Sequence, residues 1–208
     1  MNAAVDHHGW NERYASSAQT FPLDPNRLVA EEVSPLRPGV ALDLATGEGR
    51  HAVWLAARGW RVLAADFSAV GLAKAQSRAR AAGLVISWAL ADVRRLRFPP
   101  ATFDLVLAAF FAARPAERPA LYPQVAASLR PGGMFLIVGY DESNLTSGSG
   151  GPQDPELLLR PSLLADELAA LGLEVRRAEA VPATALRSDG VHANVVNAVI
   201  TAARPSER

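Results

Sequence analysis

Short apolar runs alternate with amphipathic segments through the middle of the chain, from Val40 to Tyr140. Runs of about five apolar residues bounded by glycine or proline predict buried strands, and apolar spacings of three and four predict helices. The predicted strands are Val40–Leu44, Arg61–Ala65, Leu84–Leu90, Phe103–Ala109 and Met134–Tyr140. The predicted helices are Arg50–Arg58, Ser68–Ala82 with Ser68 as its N-cap, and Arg118–Leu129. Strands that alternate with helices in this way predict a parallel α/β sheet.

The flanking segments follow other patterns. Two short helices, Trp10–Ala18 and Asn26–Val33, precede the first strand. After the fifth strand, Asp141–Pro155 is rich in glycine, proline and polar residues, which is typical of a lid or binding loop. A helix capped by Ser162 ends at Leu171, and two apolar runs follow without a helix between them. These runs, Leu173–Val181 and Val191–Ala203, predict an antiparallel hairpin at one edge of the sheet. No linker divides the chain, so we expect one domain over 1–208.

The turn after the first strand reads Ala45-Thr46-Gly47-Glu48-Gly49 and leads directly into a helix. A strand, a turn of small residues and a helix bring backbone N–H groups to a nucleotide-like ligand. Asp43, Asp66 and Asp92 stand at or just beyond the ends of the first three strands, where ligands of open α/β sheets bind. One such acid alone is equally well explained as a turn or N-cap carboxylate. The ordered set together with the glycine turn is much harder to explain in that way.

Each acid suggests one contact with S-adenosylmethionine (SAM). Asp66 follows Asp43 by roughly 20 residues, the spacing at which an acid reaches a ribose. Asp92 would accept the exocyclic amine of adenine while Val93 stacks on the base, and Asp43 would accept from the ammonium of the methionine moiety. A dinucleotide fold is the main competitor. It places a third glycine where this chain has Arg50, and a bulky residue there blocks close helix–strand packing.

Composition limits the remaining classes. The 208 residues carry 21 basic and 21 acidic side chains, and this zero net charge argues against nucleic acid as the main partner. The basic cluster Arg94, Arg95 and Arg97 is interpreted as a solvated loop. The absence of cysteine excludes disulfides, thiolate nucleophiles and cysteine-bound metals. No metal site is predicted, and neither a signal peptide nor a membrane span is apparent, so we expect a cytoplasmic protein without membrane partners.

The stretch Leu42–Gln76 closely resembles class I SAM-dependent methyltransferases, in particular the tellurite-resistance-type enzymes that act on small molecules. The G-E-G-R turn followed by W-L-A carries this resemblance. Less specific matches extend it over most of the chain, at Trp10–Tyr14, Phe103–Val106, Leu129–Gly133 and Gly150–Pro152. The implied fold is α/β and Rossmann-like. It has a seven-stranded, mostly parallel sheet with a C-terminal antiparallel hairpin and helices on both faces.

The resemblance also implies roles by position. The N-terminal segment, 1–38, would cover the cofactor and 39–208 would form the core. Arg13 would meet the carboxylate of SAM and Tyr14 would gate the site, although Trp10 and Tyr14 would equally well cover apolar surface. The remaining implied contacts are Asp43, Ala45, Gly47 and Gly49 at the methionine end, Asp66 and Phe67 at the ribose and adenine, Asp92 and Val93 at adenine, and Ala108 and Ala109 beneath the ligand.

Departures from the family pattern bear on the acceptor. His51 replaces the usual asparagine after G-E-G-R and is interpreted as a first-turn helix residue rather than a ligand contact. Phe110 and Phe111 stand where relatives often carry a polar residue, which predicts an apolar acceptor pocket and argues against an oxyanion such as tellurite. No catalytic base is assigned, since both Tyr140 and His192 are weak candidates. The expected function is methyl transfer from SAM to a small molecule, such as a thiol or other soft chalcogen nucleophile. A non-catalytic SAM-binding protein and a nucleotide-dependent oxidoreductase are the alternatives.

Overall fold

The computed structural model describes residues 7–111, 113–186 and 192–206, with side chains left out at 185, 186 and 192. The strands are β1 (Val40–Leu44), β2 (Arg61–Asp66), β3 (Ser87–Leu90), β4 (Phe103–Ala109), β5 (Leu129–Tyr140), β6 (Glu174–Leu186) and β7 (His192–Ala203). The helices are α1 (His7–Ala15), α2 (Arg27–Val33), α3 (Arg50–Ala57), α4 (Ala69–Ala81), α5 (Arg118–Ser128), α6 (Asn144–Ser147) and α7 (Pro161–Ala170), and a single 3₁₀ turn covers Pro155–Leu157.

The strands form one seven-stranded sheet in the order β3-β2-β1-β4-β5-β7-β6. Neighbours from β3 to β5 run parallel, whereas β7 runs antiparallel to both β5 and β6. The predicted fold class is therefore confirmed, including the terminal hairpin at the sheet edge. The order reverses direction at β1, and ligands of such sheets bind at that switch point, beyond the carboxyl ends of the strands.

The core lies on both faces of the sheet because side chains alternate along each central strand. In β1, Leu42 and Leu44 belong to one buried cluster and Ala41 to the other. Asp43 therefore points to the same face as Ala41, and its register partners are Ala64 in β2 and Leu107 in β4. A carboxylate is thus placed among apolar neighbours at the carboxyl end of the most central parallel strands.

Several element boundaries differ from the predicted ones. β3 begins at Ser87 rather than at Leu84, because the N–H of Leu84 bonds to the carbonyl of Ala79 and completes the end of α4. β5 begins at Leu129 rather than at Met134, with a register shift opposite Phe103. Helix α1 begins at His7 and ends at Ala15, each three residues earlier than predicted.

The C-terminal elements also differ in detail. Helix α7 starts with Pro161 after Arg160 as N-cap, so the prediction that Ser162 caps this helix is wrong. Strand β6 continues through Pro182 to Leu186, although the sequence predicted a connection from Pro182 onward. Proline is tolerated there because β6 is an edge strand, where an N–H can be missing without loss of a ladder bond. Within the described ranges, no helix has the length and apolar character needed to cross a membrane.

Candidate functional site

The glycine-rich turn after β1 has a backbone that few side chains permit. Ala45, Gly47 and Gly49 have φ of 56°, 56° and 75°, in the left-handed region. The N–H of Thr46 bonds to the carbonyl of Ala65, and that of Gly49 to the carbonyl of Thr46, which fixes the turn against β2. A left-handed conformation costs a non-glycine residue about 1–2 kcal/mol. Ala45 bears this strain, which accounts for the glycine that the family turn carries there.

Asp43 is a buried carboxylate beneath this turn. It is 1% exposed and accepts a hydrogen bond of 2.5 Å from the hydroxyl of Thr46. Burial raises the pKa of Asp43 to about 7; the Thr46 bond lowers it, and the nearby charge of Asp66 raises it again. This carboxyl group has a pKa of about 7 and no cationic partner among the described residues. It is therefore suited to receive a cation from a ligand.

Asp66 joins the turn to α4. One carboxylate oxygen accepts from the N–H of Gly47 and the other from the N–H of Ser68, both at 2.8 Å. Burial raises the pKa of Asp66, and these backbone bonds counteract part of that effect. A carboxylate has about four acceptor positions, so Asp66 can still accept from a ligand hydroxyl.

Asp92 is already engaged by a neighbouring arginine. Its two oxygens accept from the Nε and Nη2 atoms of Arg94 at 2.7 and 2.9 Å. Arg94 also donates to Glu117 at 3.0 Å, and its guanidinium lies 6.0 Å from the ring centroid of Phe67. Burial acts to raise the pKa of Asp92, but the bonds from Arg94 outweigh it and hold the pKa below its usual range. The interpretation of Arg94 as part of a solvated loop is therefore wrong, whereas Arg95 is 88% exposed at its side chain.

The N-terminal residues 7–26, here called the cap segment, are held against the glycine turn by polar side chains of the turn and of the start of α3. The buried carboxylate of Glu48 accepts from the backbone N–H groups of Thr20 and Phe21 at 3.0 and 3.2 Å. Arg50 donates through Nε to the carbonyl of Asp24. These polar groups therefore serve the cap segment rather than a ligand.

His51 completes this attachment. Its Nε2 atom accepts a hydrogen bond of 3.2 Å from the N–H of Asn26, the residue that caps α2. Burial lowers the pKa of His51 to about 3, with the charge of Arg50 as a smaller contribution, so the ring is neutral and can accept. His51 thus lies in the first turn of α3, and its side chain makes a structural hydrogen bond to the cap segment.

Helix α4 holds the cap segment from the other side. Lys74 donates to the backbone carbonyls of Tyr14 and Ser17 and to Glu48. Asn11 accepts from the hydroxyl of Ser68 and from the N–H of Val70 at the start of α4. The cap segment is therefore tied both to the glycine turn with the start of α3 and to α4.

The two cap residues predicted to contact the cofactor take different positions. The ring of Tyr14 is 6% exposed and packs between Gly47 and Gly71, near Asp66; burial is the main cause that raises its pKa. The guanidinium of Arg13 lies over the rings of Trp10 and Phe21, at 5.0 and 5.2 Å, and no ion pair is found for it within the described ranges.

Aromatic side chains line the carboxyl ends of β4 and β5. Phe110 follows β4 directly with a φ of 58° and is 39% exposed. Its ring meets that of Tyr140 edge-on at 5.5 Å, and Gly151 packs against the Tyr140 ring. A bulky residue in the left-handed region is a genuine outlier, and such strain concentrates at functional sites. We call Phe110, Tyr140 and Gly151 the aromatic wall.

Comparisons with known proteins decide the family. A profile described as a methyltransferase domain matches residues 41–133. The demethylmenaquinone methyltransferase of Thermus thermophilus is 31% identical over 176 residues, which cover 71% of this chain and 79% of that protein. The chain belongs to the class I SAM-dependent methyltransferases. The two alternatives, a non-catalytic SAM-binding protein and an oxidoreductase, are thereby set aside, and SAM is the cofactor.

Solved structures share the fold of this methyltransferase. The structure titled "Conversion of a Disulfide Bond into a Thioacetal Group during Echinomycin Biosynthesis" has a TM-score of 0.78 at 21% identity, covering 97% of this chain and 94% of its own. TehB from Haemophilus influenzae has a TM-score of 0.69 at 17% identity, covering 95% of this chain and 66% of its own. Such identity shows the fold alone, so the tellurite-resistance-type resemblance is not confirmed.

The methyltransferase brings together most of the residues predicted for its site. Asp43, Ala45, Gly47, Asp66 and Tyr14 are gathered around the turn, and Ala108 is buried at the end of β4. Two of the predicted residues have a packing role instead. A Cβ on Gly49 would stand 2.7 Å from the Cβ of Ala75, so this glycine permits the close approach of α4. The side chain of Val93 lies in the hydrophobic core. His192 begins β7, but its side chain lies outside the described part.

Sequence reasoning missed three polar residues of this region. Glu48 and His51 hold the cap segment, and Arg94 occupies Asp92. Glu48 is a polar residue inside the turn, which was a signal that its side chain has a bonding partner. The partners of Glu48 and His51, however, lie more than 20 residues away in the chain. Only Arg94 could have been anticipated locally, since it follows Asp92 by two residues.

Proposed function

We propose that this enzyme transfers the methyl group of SAM to a small apolar molecule with a soft nucleophile, such as a thiol or a heavier chalcogen. The aromatic wall carries this proposal, because Phe110 exposes an apolar ring at the carboxyl end of β4. When bound, SAM supplies an electrophilic methyl group on a sulfonium. The protein then has to place a nucleophile in line with that group and exclude water.

The ionisable residues at the end of β5 support a nucleophile that needs no protein base. Burial raises the pKa of Tyr140, which makes its hydroxyl a poor proton acceptor near neutral pH. The carboxylate of Asp141 is buried and accepts from the N–H and the hydroxyl of Ser143 at 2.9 and 2.6 Å. A thiol or selenol is far more acidic and more nucleophilic than the corresponding alcohol, whereas an alcohol or amine requires a general base.

The proposed cofactor site follows from the same edge of the sheet. Asp43 would receive the ammonium, Asp66 the ribose hydroxyls, and Asp92 with Phe67 the adenine. Arg13 would meet the carboxylate, and Tyr14 would close the site. The backbone around Ala45, Gly47, Gly49, Val93 and Ala108 would form the surface beneath the ligand. The cap over the cofactor, predicted as 1–38, and the single domain over 1–208 are part of the same proposal.

A carbon acceptor of the quinone type is the second candidate. It is favoured by the name of the Thermus relative, a demethylmenaquinone methyltransferase, and by the edge-on pair of Phe110 and Tyr140. Aromatic side chains at 4.5–7 Å recognise planar rings well, so the aromatic wall fits both an aromatic thiol and a quinol.

A transfer assay with labelled SAM separates these candidates. We expect methylation of thiophenol, benzeneselenol and 1-octanethiol, at least tenfold faster than that of phenol and 1-octanol, their oxygen counterparts. Tellurite should not be methylated. Transfer only to a demethylated menaquinone, or only to oxygen nucleophiles, would contradict the soft-nucleophile proposal. Phe110→Ala should reduce transfer to thiophenol while the affinity for S-adenosylhomocysteine stays within twofold, because this ring borders the acceptor.

A further inference from the structure

Arg94 and Asp92 form a bidentate pair in the loop after β3. The Nε and Nη2 atoms of Arg94 bond to the two oxygens of Asp92, and the backbone N–H of Arg94 adds a third bond of 3.0 Å. A carboxylate has about four acceptor positions, and Arg94 alone takes three of them. Both side chains are less than one third exposed, so water and salt weaken the pair less than they would weaken a fully exposed one.

The guanidinium group also faces the ring of Phe67, at 6.0 Å from the centroid. Phe67 and Asp92 are the two side chains that we propose for adenine. The planar guanidinium of Arg94 donates to Asp92 and lies beside the Phe67 ring. These are the contacts that the exocyclic amine and the ring of adenine would make. Arg94 therefore uses the recognition elements of the base.

A third contact keeps Arg94 paired when it leaves Asp92. Its Nη1 atom donates to Glu117 at 3.0 Å, and the other oxygen of Glu117 accepts from the N–H of Arg114 at 2.8 Å, which fixes this carboxylate at the start of α5. A cavity of about 320 Å³ opens beside this group of side chains, with Ala120 on its wall. When the guanidinium turns toward Glu117 and solvent, Arg94 keeps one ionic partner, and Asp92 keeps the more distant Arg95 at 3.8 Å.

We propose that Arg94 is an internal competitor for adenine, which holds Asp92 when no adenosyl group is bound and sets the affinity for SAM and its product. This inference rests on the proposed placement of adenine at Asp92 and Phe67. Arg94 is accordingly a residue that tunes cofactor binding through Asp92, and the energy of its pair with Asp92 is subtracted from the binding energy of the adenosyl group.

Calorimetric titration with S-adenosylhomocysteine tests the competition. We expect Arg94→Met to bind this ligand about threefold to tenfold more tightly than the wild type, since a partly exposed charge pair contributes about 1 kcal/mol. The matched control is Arg95→Met, because Arg95 is 88% exposed and stands 3.8 Å from Asp92. This control should stay within twofold of the wild type.

A double-mutant cycle and the salt dependence separate competition from a merely structural role. In an Asp92→Ala background, Arg94→Met should no longer tighten binding, because nothing is left to compete for. Raising NaCl from 50 to 500 mM should strengthen binding to the wild type but not to Arg94→Met, since salt weakens the internal pair. Equal or weaker binding by a folded Arg94→Met protein, while Asp92→Ala weakens binding in the Arg94→Met background, would overturn the competition alone. If adding Asp92→Ala to Arg94→Met left binding unchanged, the adenine placement would be overturned, and the competition with it.

Discussion

A side chain on Gly47 would collide with the hydroxyl of Tyr14, so the cofactor turn and the cap segment meet without space for one more carbon atom. The other side of the same ring faces Gly71, where a Cβ would stand 3.0 Å from Cε2 of Tyr14. Two glycines thus form a slot for one aromatic ring. This relationship makes Gly47 a packing position as well as a turn position, and the two roles can be separated.

Gly47→Ala should weaken the binding of S-adenosylhomocysteine by at least tenfold and displace the cap segment. The left-handed φ of 56° costs alanine about 1–2 kcal/mol, and the collision adds to that cost. Gly83→Ala is the matched control, because Gly83 has a φ of 66° but nothing within 4 Å of its Cβ position. Calorimetry should show normal binding by the control, and Tyr14→Phe should restore part of the affinity of Gly47→Ala. Identical behaviour of the two alanine variants would show that the contact with Tyr14 has no role.

His51 should make the attachment of the cap segment sensitive to acid. Its pKa is lowered to about 3 in the folded protein, against about 6.5 when unfolded, so its contribution to stability is complete above pH 6.5. That contribution is lost as the pH falls toward 3, because protonated Nε2 cannot accept from Asn26. Free energies of unfolding measured at several pH values should fall more steeply for the wild type than for His51→Asn. Parallel curves would contradict the low pKa that burial gives the His51 ring.

The central elements could be predicted from sequence because local signals determine them. β1 and β4 have the predicted bounds, Val40–Leu44 and Phe103–Ala109, since an uninterrupted apolar run at the sheet centre ends at polar or strained residues. β3 was predicted three residues too long, because the apolar residues from Leu84 complete the end of α4 rather than join the ladder. Periodicity alone does not distinguish these two uses of an apolar residue.

The candidate site divides in a similar way. The acids at the strand ends follow from topology, so the group around Asp43 and Asp66 could be predicted. The roles of Glu48 and His51 could not, because their partners, from Thr20 to Asn26, are distant in sequence and are backbone groups that no residue type reveals. A polar side chain in a ligand-binding turn therefore need not contact the ligand.

Lys74 should act as the fastening between α4 and the cap segment. Lys74→Met removes the donor shared by Tyr14, Ser17 and the carboxylate of Glu48, which is 2% exposed at its side chain. Leaving that carboxylate without its cation should cost about 1–3 kcal/mol of stability. Hydrogen exchange should rise over residues 10–21, and S-adenosylhomocysteine should dissociate faster.

The matched control for this variant is Arg27→Met. Arg27 forms an exposed pair with Glu31, with side chains 60% and 46% exposed, and such pairs contribute about 0–1 kcal/mol. Its hydrogen exchange over residues 10–21 and its dissociation rate should match those of the wild type. If Lys74→Met behaved like this control, the bonds of Lys74 would not hold the cap segment.

The raised pKa of Asp43 should make cofactor binding depend on pH near neutrality. The carboxyl group, with a pKa of about 7, must lose its proton before it can pair with the ammonium of the ligand. Below that value, affinity for S-adenosylhomocysteine should fall by up to about tenfold per pH unit, and it should level off above pH 8. Methylthioadenosine, which lacks the amino-acid moiety, is the control ligand, and its affinity should not vary with the protonation of Asp43. Asp43→Asn should bind S-adenosylhomocysteine weakly and without this dependence. A wild-type profile that is flat between pH 6 and 8 would show that the ammonium binds elsewhere.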